Sequence, residues 1–155
     1  MSNSILSGVD LSSKDLTGTK LIGADLSQTN LADADLSNSI LTGIDLFGND
    51  LTGTILTGAD LSQTNLSNTI LINANLENAT LENAKMLDAN LDGANLTNAD
   101  LRNILLVDAN LSNATLKGAD LTNGILTGAI LTDANLENAI LTNAIMNCID
   151  HPVCV

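Results

Sequence analysis

A large aliphatic residue recurs at every fifth position from Leu6 to Met146 without a break. Of these 29 positions, 27 are Leu and the other two are Met86 and Met146. A step of five residues turns about 140° past a full revolution of an α-helix, so a helix would scatter these side chains around every side. On a flat strand an odd step sends alternate Leu to opposite faces. The pattern therefore predicts a solenoid that turns a corner after every five residues and keeps each Leu inside.

The four positions between successive Leu residues support that coil. Two residues before the Leu the side chain is small, and from Ala74 to Ala144 it is Ala except at Ile104 and Gly124. Asp or Asn mostly precedes the Leu and Ser or Thr mostly follows it, as expected for outward sites. Two residues after the Leu, 10 of the 29 residues are Gly and 11 are Asn. Both types tolerate positive φ, so we expect each corner to be a type II turn.

The repeat A-(D/N)-L-(S/T)-(G/N) resembles the pentapeptide-repeat family, and the resemblance covers residues 4 to 148. It implies an all-β fold, a right-handed four-sided parallel β-helix with four pentapeptides in each coil. The number four is implied by the family and not by the spacing. On that geometry the 29 repeats make about seven coils, and at about 4.8 Å per coil the rod is on the order of 35 Å long. We assign residues 1–147 to this β-helix and residues 148–155 to a short C-terminal tail.

Three departures from the repeat carry structural expectations. Lys14 occupies a position that should be small and inward, and near an open end its stem can lie across the core with the ammonium in water. Asn49 occupies the same position deeper in the coil and should need an internal hydrogen-bond partner or water. Ile104 and Gly124 occupy it one coil apart, a large residue on the smallest, and we expect their volumes to compensate.

Composition and charge narrow the function. One Phe and no Trp or Tyr indicate an aliphatic interior. The net charge of −13, from 18 acidic and 5 basic residues, repels nucleic acid and anionic membranes, so we expect no direct nucleic-acid binding and no membrane association. It suits a basic partner, or simply keeps a hydrophobic rod soluble. Met1 to Lys20 lacks the features of a signal peptide, so we expect a cytoplasmic protein, or an exported or lumenal one whose signal peptide was removed.

Cys148 and Cys154 stand six residues apart in the tail, with Pro152 between them. In a reducing compartment they would be a buried hydrophobe and a free thiol. In an exported protein they could form a disulfide that closes a small loop over the end of the coil. Both alternatives stay open. Together with His151 they are too few ligands for zinc, so we expect no metal site.

One face of the coil carries apolar residues at outward sites where the repeat predicts polar ones. Two interpretations are open: good β-propensity on a side wall, where such residues pack down their own column, or a contact patch for a protein. The partner could be another copy of this chain, giving a homodimer through this strip or through the C-terminal end, where an imperfectly capped coil favours end-to-end pairing. The candidate patch consists of Phe47, Leu87, Leu105, Val107, Ile125 and Ile145.

We find no catalytic constellation and no cofactor-binding motif, because the single His lies in the tail and the Gly residues occupy corners singly. The sequence therefore predicts a non-catalytic protein–protein interaction scaffold, an acidic rod with a hydrophobic side strip and an unidentified protein partner. An alternative comes from the resemblance: some members associated with quinolone resistance are similar to duplex DNA in width and charge and bind DNA gyrase. Against this DNA mimicry, the acids here are spread over all four faces. Ice or crystal-surface binding is disfavoured because charged residues interrupt the Thr and Ser columns, at Glu77, Glu82, Arg102 and Lys117.

Overall fold

The computed structural model describes residues 1–154, and its repeating unit is a coil of four pentapeptides. Parallel bridges join residues 20 positions apart, as in the series Asp45, Asn65 and Lys85. Within residues 1–154 there is no α-helix, and each extended segment is a single bridge residue, found at every fifth position from Ile5 to Ile145 and then at Ile149. Closure after 20 residues confirms the four-sided parallel β-helix.

The interior is a stack of the Leu side chains. Every residue of the five-residue pattern from Leu16 to Leu131 is buried, Met86 included. Toward the two ends the pattern is only partly buried, at Leu6, Leu11, Leu136 and Leu141, although the last position, Met146, is buried. Removing one Leu side chain from a middle coil should therefore cost about 2 to 5 kcal/mol, because the rigid ladder around it cannot collapse into the space.

Each corner depends on positive φ two residues after the Leu. The φ angle is 57° at Asn73 and 69° at Gly93, for example. The next N–H then bonds back to the Leu carbonyl, as from Ala94 to Leu91 at 3.0 Å. A Cβ at Gly93 would lie 2.5 Å from Oδ1 of Asn73 in the coil below, so the Asn73 side chain would have to turn aside. Gly and Asn thus occupy the corners for the predicted conformational reason.

The small inward position changes character along the rod. In the N-terminal half it is often polar and still buried, and its hydroxyls donate to Leu carbonyls of the coil below, as from Thr64 to Leu41 at 2.9 Å. From Ala74 onward it is almost always Ala, which fills the same space and makes no side-chain hydrogen bond. Lys14, in the open first coil, is exposed. The buried polar members are Thr29, Ser39, Asn49, Thr54, Thr64 and Thr69.

The ladder of backbone hydrogen bonds opens at one place, between the coil of Leu26 and the coil of Leu46. In the described chain the N–H groups of Leu26 and Gln28 find no acceptor in the coil above, and the N–H of Asp45 finds none in the coil below. Equivalent groups one coil further on are paired, as from Leu46 to the next coil at 2.8 Å. We call this opening the seam.

Asn49 accounts for the seam. The residue is 3% exposed, and its Nδ2 donates to the carbonyl oxygens of Leu26 at 2.8 Å and Thr29 at 3.1 Å. In a regular ladder the Thr29 carbonyl would accept the N–H of Asp50, so the carboxamide replaces a backbone donor. No residue in the range 1–154 pairs with the Asn49 Oδ1. The side chain therefore has the internal partners that burial requires, and the ladder loses bonds in exchange.

The last coil is one residue shorter than the others. Its closing bridge joins Ile130 to Ile149, 19 positions apart. The missing residue is taken from the corner, where the N–H of Cys148 bonds directly to the Met146 carbonyl at 2.7 Å. The ladder therefore continues to Ile149.

A disulfide joins Cys148 to Cys154 beyond this corner, with the two Cα atoms 4.9 Å apart. Val153, inside the loop that it closes, packs against the hydrophobic core. The loop thus covers part of the upper edge of the coil. Val155, which the sequence analysis placed in the tail, lies outside the described residues, and the boundary after residue 147 stays a prediction.

Candidate interaction surface

One face of the coil, which we call the aliphatic face, carries the candidate residues. Its outward side chains form two vertical columns, one before and one after the inward Leu or Met, and vertical neighbours are 20 residues apart. The first column runs upward through Ile5, Asp25, Asp45, Asn65, Lys85, Leu105, Ile125 and Ile145. The second runs through Ser7, Ser27, Phe47, Ser67, Leu87, Val107, Thr127 and Asn147.

Five of the six candidate residues lie together in the upper coils. Parallel bridges join Leu105 to Ile125 and Ile125 to Ile145, so these three are consecutive vertical neighbours. Ile145 is 46% exposed at the top, while the two below it are half-buried. Leu87 and Val107, also half-buried, follow one another in the second column. We call these five residues the aliphatic strip.

Phe47 does not belong to that strip. It lies two coils below Leu87 in the second column, and the intervening residue is Ser67, which is buried. Phe47 is 58% exposed, far more than the strip residues beneath Ile145. The structure therefore divides the predicted patch into an aliphatic strip and a separate aromatic position.

The edges of the aliphatic strip are polar and partly acidic. Asp88 and Asp108 follow Leu87 and Val107 at the corner, and both are exposed. The opposite corner carries a ladder of amides, in which Nδ2 of Asn123 donates to Oδ1 of Asn103 at 3.2 Å. An apolar surface with carboxylates along one edge suits a partner that offers apolar side chains and positive charge.

A groove lies at the foot of the same face, where the seam opens. It is lined by Asp25, Gln28, Asp45, Phe47 and Gly48, together with Ala24 and Ser27. The exposed ring of Phe47 forms one wall, and the two aspartates are neighbours in the first column. The groove exists because the backbone ladder that closes the wall elsewhere is open here.

The Asp before a Leu and the Ser or Thr after it bind one another, a relationship that the sequence analysis missed. Oδ1 of Asp25 accepts the N–H of Ser27 at 3.0 Å and its hydroxyl at 2.7 Å. Asn serves equally well, since Oδ1 of Asn95 accepts both groups of Thr97. This is the Asx-turn arrangement. The available signal was the two-residue spacing, which we interpreted only as outward polarity.

These hydrogen bonds lower the pKa of the aspartates that accept them. The Ser27 hydroxyl lowers the pKa of Asp25, and the Arg102 guanidinium does the same for Asp100. The carboxylates are therefore both charged and held in fixed directions at neutral pH. Lowered pKa values occur on each of the four faces, at Asp25, Asp10, Asp35 and Asp100.

Among the described residues, no three His, Cys, Asp or Glu side chains are grouped so that they could hold a metal ion. No helix of the described chain has the length and hydropathy that crossing a membrane requires.

The family model for pentapeptide repeats matches the chain in eight overlapping copies that run from residue 1 to residue 147. Among solved structures, a pentapeptide repeat protein from the Arabidopsis thaliana thylakoid lumen is 33% identical, covering 66% of this chain and 68% of its own, with a TM-score of 0.49. HetL, a pentapeptide repeat protein involved in heterocyst differentiation regulation in the cyanobacterium Nostoc, is 32% identical over 97% of this chain and 86% of its own, with a TM-score of 0.34. No curated protein sequence matches the chain.

QnrB1, a plasmid-mediated fluoroquinolone resistance protein, is 22% identical over 92% of this chain and 79% of its own. Its trypsin-treated structure superimposes with a TM-score of 0.63. At that identity the likeness concerns the fold, which is the right-handed quadrilateral β-helix. The predicted fold class is thereby confirmed.

Proposed function

Because this chain belongs to the pentapeptide-repeat family, we propose that it is a non-catalytic interaction scaffold whose aliphatic strip binds a protein partner. One observation supports this most directly: Leu105, Ile125 and Ile145 are joined by successive bridges, with no polar residue between them. The rigid coil holds these side chains in place before binding, so little conformational entropy is lost when a partner covers them.

Aliphatic residues on the other faces provide the contrast, apart from Ile130, which is bridged to Ile149 in the last coil. Ile55 is bridged to Asp35 below and Asn75 above, so it stands alone in its column. A β-branched residue that only stabilises the wall would be expected on any face. The strip residues instead cluster on the aliphatic face. This clustering favours a contact surface over simple β-propensity, since adjoining apolar side chains can be covered together by one partner.

The edges of the strip indicate the chemistry of the partner. The chain has a net charge of −13, and Asp88 and Asp108 border the strip. A second copy laid against the strip would bring its own acidic surface close, which opposes association through this face. We therefore commit to a different protein, with apolar side chains flanked by Lys or Arg. Homodimerisation becomes an outcome of the test.

The experiment compares two substitutions of the same chemistry. Leu105→Asp places a carboxylate in the strip, and Ile55→Asp places one at an isolated aliphatic site of similar position in the repeat. Affinity capture from the native cells, with crosslinking, should recover a partner with the wild type and with Ile55→Asp but not with Leu105→Asp. Raising the salt concentration should weaken capture, because the charged edge is exposed to solvent.

Two results would contradict the proposal. A Leu105→Asp variant that folds, keeps every crosslinked partner and keeps its mass by light scattering would show that the strip binds nothing. A wild type that is dimeric and becomes monomeric on Leu105→Asp would replace the heterologous partner by a second copy.

A second candidate function is DNA mimicry toward a topoisomerase such as gyrase. It is favoured by the fixed carboxylates, which stack in pairs such as Asp15 with Asp35 and Asp100 with Asp120. It is disfavoured by their distribution over all four faces, because a DNA-binding groove would contact only part of the rod. Inhibition or protection of gyrase supercoiling at micromolar protein would support this candidate, and no effect would eliminate it.

A further inference from the structure

We propose that the groove beside Phe47 is a second interaction site, one that takes the guanidinium group of an arginine on a protein partner. The groove combines the open backbone of the seam, two carboxylates and an exposed aromatic ring within one wall of the coil. It is separate from the aliphatic strip, so the inference goes beyond the proposed function and stands or falls without it.

The two carboxylates have one oxygen occupied and one free. Oδ1 of Asp25 accepts from Ser27, and Oδ1 of Asp45 accepts the N–H of Phe47 at 3.0 Å and Nδ2 of Asn65 at 2.9 Å. Across residues 1–154, neither Oδ2 accepts a hydrogen bond. The bonds to Oδ1 fix the direction of each carboxylate, so both Oδ2 atoms are ready to accept from an added donor.

The seam supplies a second set of acceptors. In the regular coil the carbonyl of Asp45 would accept the N–H of Leu26, and that of Phe47 would accept the N–H of Gln28. Neither bond forms within the described chain, and both carbonyls are left without a backbone partner from the coil below. Backbone oxygens in this state favour a ligand that brings several N–H donors.

The ring of Phe47 distinguishes among cations. The residue is 58% exposed, so a flat cation can lie against the face of the ring while the edge of the cation reaches the carboxylates. A guanidinium has that planar shape and carries five N–H donors, whereas an ammonium is a compact, strongly hydrated charge. The nearest basic residue of the first column, Lys85, is two coils above Asp45 and separated from it by Asn65. The groove thus has an unneutralised pair of charges that matches arginine.

The test is an NMR titration of the full chain, labelled with ¹⁵N, with the peptide acetyl-Gly-Arg-Gly-amide. Saturable shifts are expected at the amides of Gln28, Asp45, Phe47 and Gly48. The same peptide with citrulline in place of Arg keeps the shape and loses the charge, so it should produce no saturable shift. A lysine peptide should bind more weakly than the arginine peptide, since it cannot stack and bond two carboxylates at once.

Variants identify the groups responsible. Asp45→Asn keeps an oxygen for the Phe47 N–H, as Asn does elsewhere in the repeat, and should weaken the arginine peptide about tenfold by removing one charge-assisted contact. Phe47→Ala should also weaken it. The matched control is Asp35→Asn, which alters the bridged pair Asp15 and Asp35 on a face where the ladder is closed. That control should bind as the wild type does.

The outcomes separate cleanly. Saturable binding that needs the positive charge, Asp45 and Phe47 supports the site, and weaker binding by Asn49→Thr assigns part of it to the seam. Absence of saturable shifts, equal binding of the citrulline peptide, or unchanged affinity in Asp45→Asn overturns the proposal. Leu105→Asp leaves the groove intact. The arginine-peptide titration therefore tests the groove whether or not the aliphatic strip binds a partner.

Discussion

Ile104 lies directly beneath Gly124 at the inward position of successive coils, and a Cβ built on Gly124 would come 3.3 Å from Cγ2 of Ile104. The same Cβ would be 3.0 Å from the Leu121 carbonyl oxygen. Gly124 has ordinary negative-φ backbone, so its conformation does not demand glycine. The large residue and the missing side chain therefore fill one volume between them, as the sequence indicated.

We expect Ile104 and Gly124 to be energetically coupled. Gly124→Ala alone should destabilise the protein by about 1 to 3 kcal/mol through overpacking, and Ile104→Ala alone by about 2 to 5 kcal/mol through a cavity. The free energy of unfolding should fall by less in the double variant than the two single losses added together, because the new methyl group enters the space that Ile104 vacates. Urea unfolding followed by circular dichroism gives the four free energies.

Ile44 provides the matched control for this cycle. It occupies the same inward position four coils below Gly124 and is buried. Ile44→Ala combined with Gly124→Ala should be additive, since no contact connects the two sites. If the stability losses of Ile104→Ala and Gly124→Ala simply add, the two residues do not share one volume.

Replacing Asn49 by Thr should close the seam. Thr is present at the same inward position in the coils below and above, at Thr29 and Thr69, where it is buried. The shorter side chain cannot reach the Thr29 carbonyl, so the Asp50 N–H can bond to that carbonyl again. The N–H groups of Leu26 and Gln28 then bond to the Asp45 and Phe47 carbonyls. Stability should rise by about 1 kcal/mol or more, since several backbone bonds replace two side-chain bonds.

Amide hydrogen exchange checks this directly. The amides of Leu26 and Gln28 should exchange fast in the wild type and slowly in Asn49→Thr. The reverse substitution, Thr64→Asn, places the longer side chain in an intact part of the ladder and should speed exchange at Leu41 and Gly43, whose N–H groups bond to the Asp60 and Ser62 carbonyls. Equal exchange at Leu26 in the wild type and in Asn49→Thr would show that another cause opens the seam.

The pair formed by Asp100 and Arg102 predicts a specific pH dependence. Arg102 donates through Nε to Oδ1 at 2.8 Å and through Nη2 to Oδ2 at 2.6 Å. This hydrogen bonding, opposed in part by burial, lowers the pKa of Asp100 from its ordinary value of 3.8. The pair therefore contributes stability above pH 3.8, and that contribution is lost as the pH falls through the lowered pKa of the folded state.

Arg102→Ala should raise the pKa of Asp100 toward 3.8 and reduce stability at pH 7 only slightly, since both side chains contact solvent. Carboxyl ¹³C NMR titration measures the pKa. Lys117→Ala, which breaks the separate pair of Lys117 with Glu137, should leave the Asp100 titration where it was. An unchanged Asp100 pKa in Arg102→Ala would refute the assignment.

The disulfide at the C-terminal end should act locally. Closing a loop of this length stabilises the closed form by about 2 kcal/mol in the loop-entropy account. Reduction, or Cys154→Ser, should speed exchange of the Leu131 and Ile149 amides, which bond to the Ile149 and Ala129 carbonyls at 3.0 and 2.8 Å. Amides in the middle coils, such as Leu91, should not change. A fall in the exchange protection of Leu91 would show that the tail supports the whole rod.

The redox state in the native cell bears on where the protein works. Thiols blocked at the moment of lysis and then analysed by mass spectrometry will show whether Cys148 and Cys154 are bonded. The sequence predicts the cytoplasm, where such a pair is normally reduced, whereas the bonded pair of the structure suits an exported or lumenal protein. An oxidised pair would favour the exported or lumenal alternative instead.

Much of the fold was predictable because each structural requirement of the coil is met by one position of the five-residue repeat. A corner needs positive φ, so Gly or Asn appears there, and a closed core needs aliphatic side chains, so Leu recurs. The polar inward residue Asn49 was also recognisable as a residue that needs partners. What it would do to the ladder was not, because that depends on comparing the length of a carboxamide with the distance between two coils.

The candidate site divides in the same way. The vertical contact of Leu105, Ile125 and Ile145 follows from the period once the coil is known to hold 20 residues. The two-coil interval between Phe47 and Leu87 follows from the same period. The groove beside Phe47 does not, because it depends on the open backbone ladder at the seam.

The sequence by itself determined that the chain turns a corner every five residues, with Leu inside and charge outside, because neither an α-helix nor a flat strand buries a period of five. The tertiary structure decided where the walls of that coil are open. Pairing between coils is a matter of ångström distances between backbones, and one buried Asn49 changes those distances in a way that no pattern of residue types records.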